Sequence, residues 1–174
     1  MAVILDKVHS AISFEVKHMM VSKAKGQFKD FDIDFSGSFN ELENASVKAT
    51  IKVDSIDTNN GDRDNHLKSG DFFDAETHPE IVFVSKSIKK VSDSEYDVTG
   101  DLTIRGTTNE ETFRVDYNGT AKDPMQGKTI AGADFNGTID REKYGLTWNA
   151  ALETGGVLVG KDVKIHGGLE FVVE

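Results

Sequence analysis

From Glu95 to Ile104 the chain alternates without a break. Tyr96, Val98, Gly100, Leu102 and Ile104 fall on one face of an extended segment, and Glu95, Asp97, Thr99, Asp101 and Thr103 fall on the other. A period of two is the period of a strand, so this stretch can bury one face and wet the other. The pattern recurs in Ser10–Val16 (Ile12, Phe14 and Val16 inward), at Phe31, Ile33 and Phe35, in Val47–Val53, at Phe113, Val115 and Tyr117, in Ala133–Asp140, and from Val163 to Phe171. Ile81–Ser85 is apolar on both faces, which predicts a strand covered on its outer side by a helix. Eight antiparallel strands with one apolar face each can stack as two sheets or close into a barrel. Short connections between most neighbours predict the all-β, eight-stranded antiparallel barrel.

Two connections are too long to be hairpins. Asp54–Pro79 has no alternation, and a structureless loop of that length is uncommon, which predicts a short helix over Asp62–Ser69. We read this segment as a lid. The other, Arg141–Lys161, carries Tyr144 and the single Trp, Trp148. Inside the barrel, Ala49, Gly100, Ala133, Gly137 and Gly167 are small residues in the apolar phase. They either leave an elongated cavity between Phe14, Phe83, Leu102, Phe135 and Leu169 or mark bends in the strands.

Lys and Arg number 20 against 30 Asp and Glu, a net charge of −10 that opposes nucleic acid and anionic membrane surfaces. No Cys is present for a disulfide, a thiolate metal site or a thiol nucleophile. His9, His18, His66, His78 and His166 lack ligand spacing, so no metal is expected. The acidic run near Asp57–Asp64 fails as a calcium loop, because setting Gly61 at the loop glycine puts Ile56 at the first ligand position. No phosphate-binding loop or nucleophile elbow occurs, and neither a cofactor nor a catalytic residue is expected. The apolar run Ala2–Leu5 is too short for a signal segment, so the reading is a cytoplasmic protein without integral membrane association. Arg63, Asp64 and His66 are candidates for binding a polar headgroup at the cavity mouth. Their alternative role is to fix the lid, with Arg63 on a carboxylate and Asp64 or Thr58 capping the helix.

A set of motifs spans nearly the whole chain: Asp6-x-x-His9-Ser10, Gly26-x-Phe28, Ser55-Ile56-x-Thr58, Arg63-Asp64-x-His66-Leu67, Asp71-Phe72-Phe73, Pro79-x-x-x-Phe83-x-Ser85, Gly100-x-Leu102-Thr103-Ile104-Arg105-Gly106 and Arg141-x-x-Tyr144-Gly145. In order and spacing it resembles the YceI-like family of polyisoprenoid-binding proteins. The resemblance implies one lipocalin-like barrel domain over residues 1–174, enclosing an apolar tunnel for a polyprenyl or isoprenoid-quinone type amphiphile. It implies that the Arg63–Leu67 and Asp71–Phe73 segments frame the tunnel, and a homodimer is in keeping with it. The expected tunnel lining is Phe14, Val16, Phe72, Phe73, Phe83, Gly100, Leu102, Phe135, Gly137 and Trp148. The function implied is a non-catalytic carrier or store of an isoprenoid lipid. The alternatives are an enzyme acting on such an amphiphile with His66 as acid/base, and a structural barrel with a filled core.

Overall fold

In the structure, a computed structural model describing residues 2–174, the alternating segments join into one antiparallel sheet of eleven strands. They are β1 (Val3–Leu5), β2 (Ala11–His18), β3 (Ser22–Phe28), β4 (Phe31–Ser36), β5 (Ser46–Lys52), β6 (Ile56–Asp57), β7 (Glu80–Lys90), β8 (Glu95–Ile104), β9 (Thr107–Lys122), β10 (Thr129–Asp140) and β11 (Val159–Val173). The order is β4-β5-β7-β8-β9-β10-β11-β2-β3-β6, with β1 on β11 beyond the end of β2. The chain therefore meanders from β4 to β11, and the free edge of β11 takes back the N-terminal strands.

The count of eight is corrected to eleven for local reasons. In β3 the inward residues before Phe28 are Ala24 and Gly26, so the alternation with Lys23, Lys25 and Gln27 carries almost no apolar signal. β1 and β6, three and two residues long, are too short to show a period. The covering helix predicted over β7 is also corrected: Val84 is 45% exposed on the outer face.

The sheet curls into a barrel with a seam. β4 comes alongside β1, yet among the described residues no backbone hydrogen bond joins them. Aromatic contacts bridge the gap instead, with Phe35 and Phe39 centred 6.1 and 5.8 Å from Phe171. At the β3–β4 corner, the Lys29 N–H donates to Ser55 and the Lys52 N–H to Asp30.

Four inward glycines are each covered by a phenylalanine ring. A Cβ on Gly26 would meet the Phe14 ring at 2.5 Å, one on Gly100 the Phe83 ring at 2.8 Å, one on Gly137 the Phe113 ring at 2.5 Å and one on Gly167 the Phe135 ring at 2.7 Å. In every case the ring leans onto the neighbouring strand that follows its own around the barrel. Rings laid over strand glycines let a sheet bend sharply while filling the space left by the missing side chains.

The lid holds one helix, α1 (Gly61–Lys68), a one-residue shift from the predicted start and end. Its cap is neither Asp64 nor Thr58 but Asn60, whose side chain accepts from the Arg63 N–H at 3.1 Å. Leu67 is the only apolar residue in its eight, so side-chain bonds rather than an apolar face hold it in place. The second long connection opens with a 3₁₀ turn, Arg141–Tyr144, closed by Gly145 at φ 81°. Among the described residues no helix is long and apolar enough to cross a membrane.

Candidate ligand cavity

The inward faces of the curled sheet enclose a cavity of about 270 Å³ with an apolar wall. Small-molecule sites commonly span about 300–1,000 Å³, so this one lies at the lower edge of that range. Phe14, Phe28, Phe83, Phe113, Phe135 and Phe171 reach it from six different strands, and Leu67, Phe72 and Phe73 close it from the lid segment. The rings make a packed series: Phe83 lies edge-on to Phe113 at 5.3 Å, Phe113 to Phe135 at 6.5 Å, and Phe28 to Phe73 at 6.2 Å.

Of the ten positions expected to line a tunnel, Phe14, Phe72, Phe73, Phe83, Leu102 and Phe135 lie on this wall, whereas Val16, Gly100, Gly137 and Trp148 lie off it. The two glycines are in the inward phase but are covered by the rings of Phe83 and Phe113. Val16 is paired between Ala24 and Val163. Trp148 stands behind the lid, 5.4 Å from Phe72 and edge-on to His66 at 4.8 Å.

Arg63, Asp64 and His66 also lie off the wall. Thr58, 5% exposed, is the centre of the lid's polar network. It receives Arg63 Nε at Oγ1 (2.8 Å) and Arg63 Nη2 at its carbonyl (2.7 Å), while its own N–H and hydroxyl donate to Asp64 Oδ1 at 2.9 and 2.6 Å. The Thr58 methyl lies over Gly26, so the network fastens α1 to β3. Arg63 thus meets a threonine rather than the carboxylate expected for a lid-fixing role. His66 Nε2 lies 2.9 Å from Asp71 Oδ2.

Sequence reasoning missed three features. Arg141 is on the cavity wall and only 4% exposed. Its guanidinium donates to four backbone carbonyls: Gly160 (2.7 Å), Trp148 (3.1 Å), Val159 (3.2 Å) and, closest, Leu146. Burial lowers its pKa from the ordinary guanidinium value, an effect partly offset by Glu142 and Asp140. The signal was its position directly after a strand, at the head of the second long connection. Next to it, Glu111 and Tyr144 are neighbours, and burial pushes both pKa values up. Among the described residues neither Glu111 Oε2 nor the Tyr144 hydroxyl completes a hydrogen bond. On the outer wall, Asp6, His9 and Glu170 converge, with His9 Nδ1 2.8 Å from Asp6 Oδ2 and 3.4 Å from Glu170 Oε2. Glu170 is too far along the chain to be found by local spacing.

The family model for the YceI-like domain matches residues 4–171. This chain belongs to the YceI-like family. UPF0312 proteins of Staphylococcus epidermidis and Staphylococcus aureus are each 51% identical to this YceI-like chain, over 97% of it and over 96% and 95% of their own lengths. Among solved structures, Burkholderia cenocepacia BcnA superposes with a TM-score of 0.83 at 26% identity, covering 95% of this chain and 98% of that one. Campylobacter jejuni YCEI protein gives 0.78 at 30% identity, over 91% and 90%. A polyisoprenoid binding domain from Saccharophagus degradans shares the YceI-like fold at 12% identity, with a TM-score of 0.73 and 99% of both chains covered.

Proposed function

We propose that the cavity holds the chain of an isoprenoid lipid, of polyprenyl or isoprenoid-quinone type, and that the protein carries or stores it without transforming it. The apolar wall carries this reading: phenylalanines from seven strands face a space lined, among the described residues, by no charged group but Arg141, whose donors are turned to backbone carbonyls. Transfer of apolar surface out of water, about 25 cal/mol per Å², supplies the driving force. The YceI-like family and the shared fold with a polyisoprenoid binding domain support it. His66, bonded to Asp71 and off the wall, lends no support to acid/base chemistry on such a ligand. The same reading places the protein in the cytoplasm, as a homodimer.

Organic extraction of purified protein followed by mass spectrometry tests it. A stoichiometric isoprenoid is expected. Protein free of lipid that also fails to bind added polyprenol, followed through Trp148 fluorescence, refutes it.

A further inference from the structure

The hairpin between β2 and β3 ends in Met19, Met20 and Val21, which are 46, 56 and 88% exposed. Val157, 39% exposed, belongs to the neighbouring connection, where Gly156 lies against the Met20 side chain. The turn is closed by the Val21 N–H donating to the His18 carbonyl, with φ of 53° at Met19 and 66° at Met20. Two left-handed central residues are the signature of a hairpin turn that favours Asn-Gly, because long side chains are disfavoured there. The sequence thus accepts both a disfavoured backbone and exposed apolar side chains at one point.

This tip shares an end of the barrel with the lid. The Met19 N–H donates to Leu158, and His18 pairs with Val159. The Val159 and Gly160 carbonyls are held by Arg141, which also holds Trp148, and Trp148 packs on Phe72 of the lid segment. Directly behind the tip, Lys17 and Lys23 face each other across the hairpin, and Gly160 lies against Lys17 with Lys161 following it. Lys23 is 3.4 Å from Glu15 and Lys161 3.9 Å from Asp140, while Lys17 has no carboxylate partner among the described residues. An apolar point with a lysine collar fits the boundary between acyl chains and phosphates. In a chain whose net charge is −10, Lys17 leaves a cation without a carboxylate partner beside the tip, among the described residues.

We infer that the Met19-Met20-Val21 tip inserts into the surface of a phospholipid bilayer, setting the lid end of the barrel against the membrane from which the ligand is drawn. This rests on the lipid-carrier reading. A second copy of the chain is the poorer occupant, since a stable protein interface takes about 20–30 residues a side and the tip offers a handful.

The double variant Met19→Asn, Met20→Gly tests it, because it installs the residues the turn prefers and removes both thioether chains. Its melting temperature should equal or exceed that of the unaltered protein, and its affinity for a water-soluble short-chain isoprenoid alcohol should be unchanged. Its affinity for phosphatidylcholine vesicles containing phosphatidylglycerol should fall about tenfold or more, since burying one such side chain is already worth that factor. Unaltered protein that ignores vesicles, or a variant that binds them equally well, overturns the inference. A dimer that the variant dissolves assigns the tip to a second copy and overturns it too. Vesicle binding by a protein that takes up no isoprenoid alcohol refutes the carrier reading and upholds the docking.

Discussion

The ring of Phe113 occupies the place a side chain on Gly137 would need: a Cβ there would sit 2.5 Å from Phe113 Cδ1. Gly137→Leu should therefore displace the ring into the cavity. We expect a lower melting temperature with and without lipid, a loss of about 1–3 kcal/mol as for other overpacked cores, and weaker lipid binding. In a Phe113→Ala background the same substitution should cost less, and a double-mutant cycle by thermal or denaturant unfolding measures the difference.

Arg63 spends its donors on Thr58, not on the cavity. Arg63→Ala should loosen the lid, with a stability loss of about 1.5–3 kcal/mol for hydrogen bonds from a charged donor. Affinity for a polyprenyl phosphate and for the corresponding bare hydrocarbon should fall by the same factor in calorimetric titrations. A loss confined to the phosphate would assign Arg63 to the headgroup.

Arg141→Met should be among the most damaging single changes, because carbonyls from four residues lose a common donor. We expect at least about 3 kcal/mol by denaturant unfolding, the order of several unsatisfied buried acceptors. Arg141→Lys should rescue little, since an ammonium cannot reproduce the planar fork.

Burial raises the Glu111 pKa, so the native state keeps a proton that the unfolded chain gives up. The resulting penalty is absent below the unfolded carboxylate value, about 4.3, and grows as pH rises through the folded value. Glu111→Gln should therefore melt higher than the unaltered protein at pH 8, and the difference should shrink as pH falls to 4.

On the outer wall stability again falls as pH rises, but from a favoured cation rather than a disfavoured anion. The hydrogen bond that the His9 ring donates to Asp6, with the charges of Asp6 and Glu170, raises the His9 pKa. The stabilisation is complete below the unfolded value, about 6.5, and is lost as pH rises through the folded one. A proton NMR titration should show His9 above its ordinary value, and returned toward it in Asp6→Asn.

The strands with large inward residues were legible in the sequence, because Tyr96 to Ile104 and Phe31 to Phe35 bury one face and must alternate. β3 was not, since Ala24 and Gly26 present little apolar area of their own and Gly26 matters through the ring of Phe14 laid over it. The cavity was half legible for the same reason. The period of two told which face Gly100 and Gly137 occupy, but whether a glycine leaves space or receives a ring depends on a rotamer of the adjacent strand. Arg141 was recognised as part of a motif, but its partners are carbonyls, which no residue type announces. The convergence of Glu170 on Asp6 and His9 depends on β11 lying beside the N-terminal strands, a fact of topology rather than spacing.

The seam between β1 and β4 gives the barrel a variable girth. Elsewhere, widening the wall means breaking a ladder of hydrogen bonds, but here side-chain contacts have to part, those of Phe35 and Phe39 with Phe171 among them. A chain too bulky for 270 Å³ can gain room along that line and offer its own hydrocarbon to the separated rings. Because apolar contact weakens on cooling, the unfilled barrel should breathe most in the cold, and the filled one least.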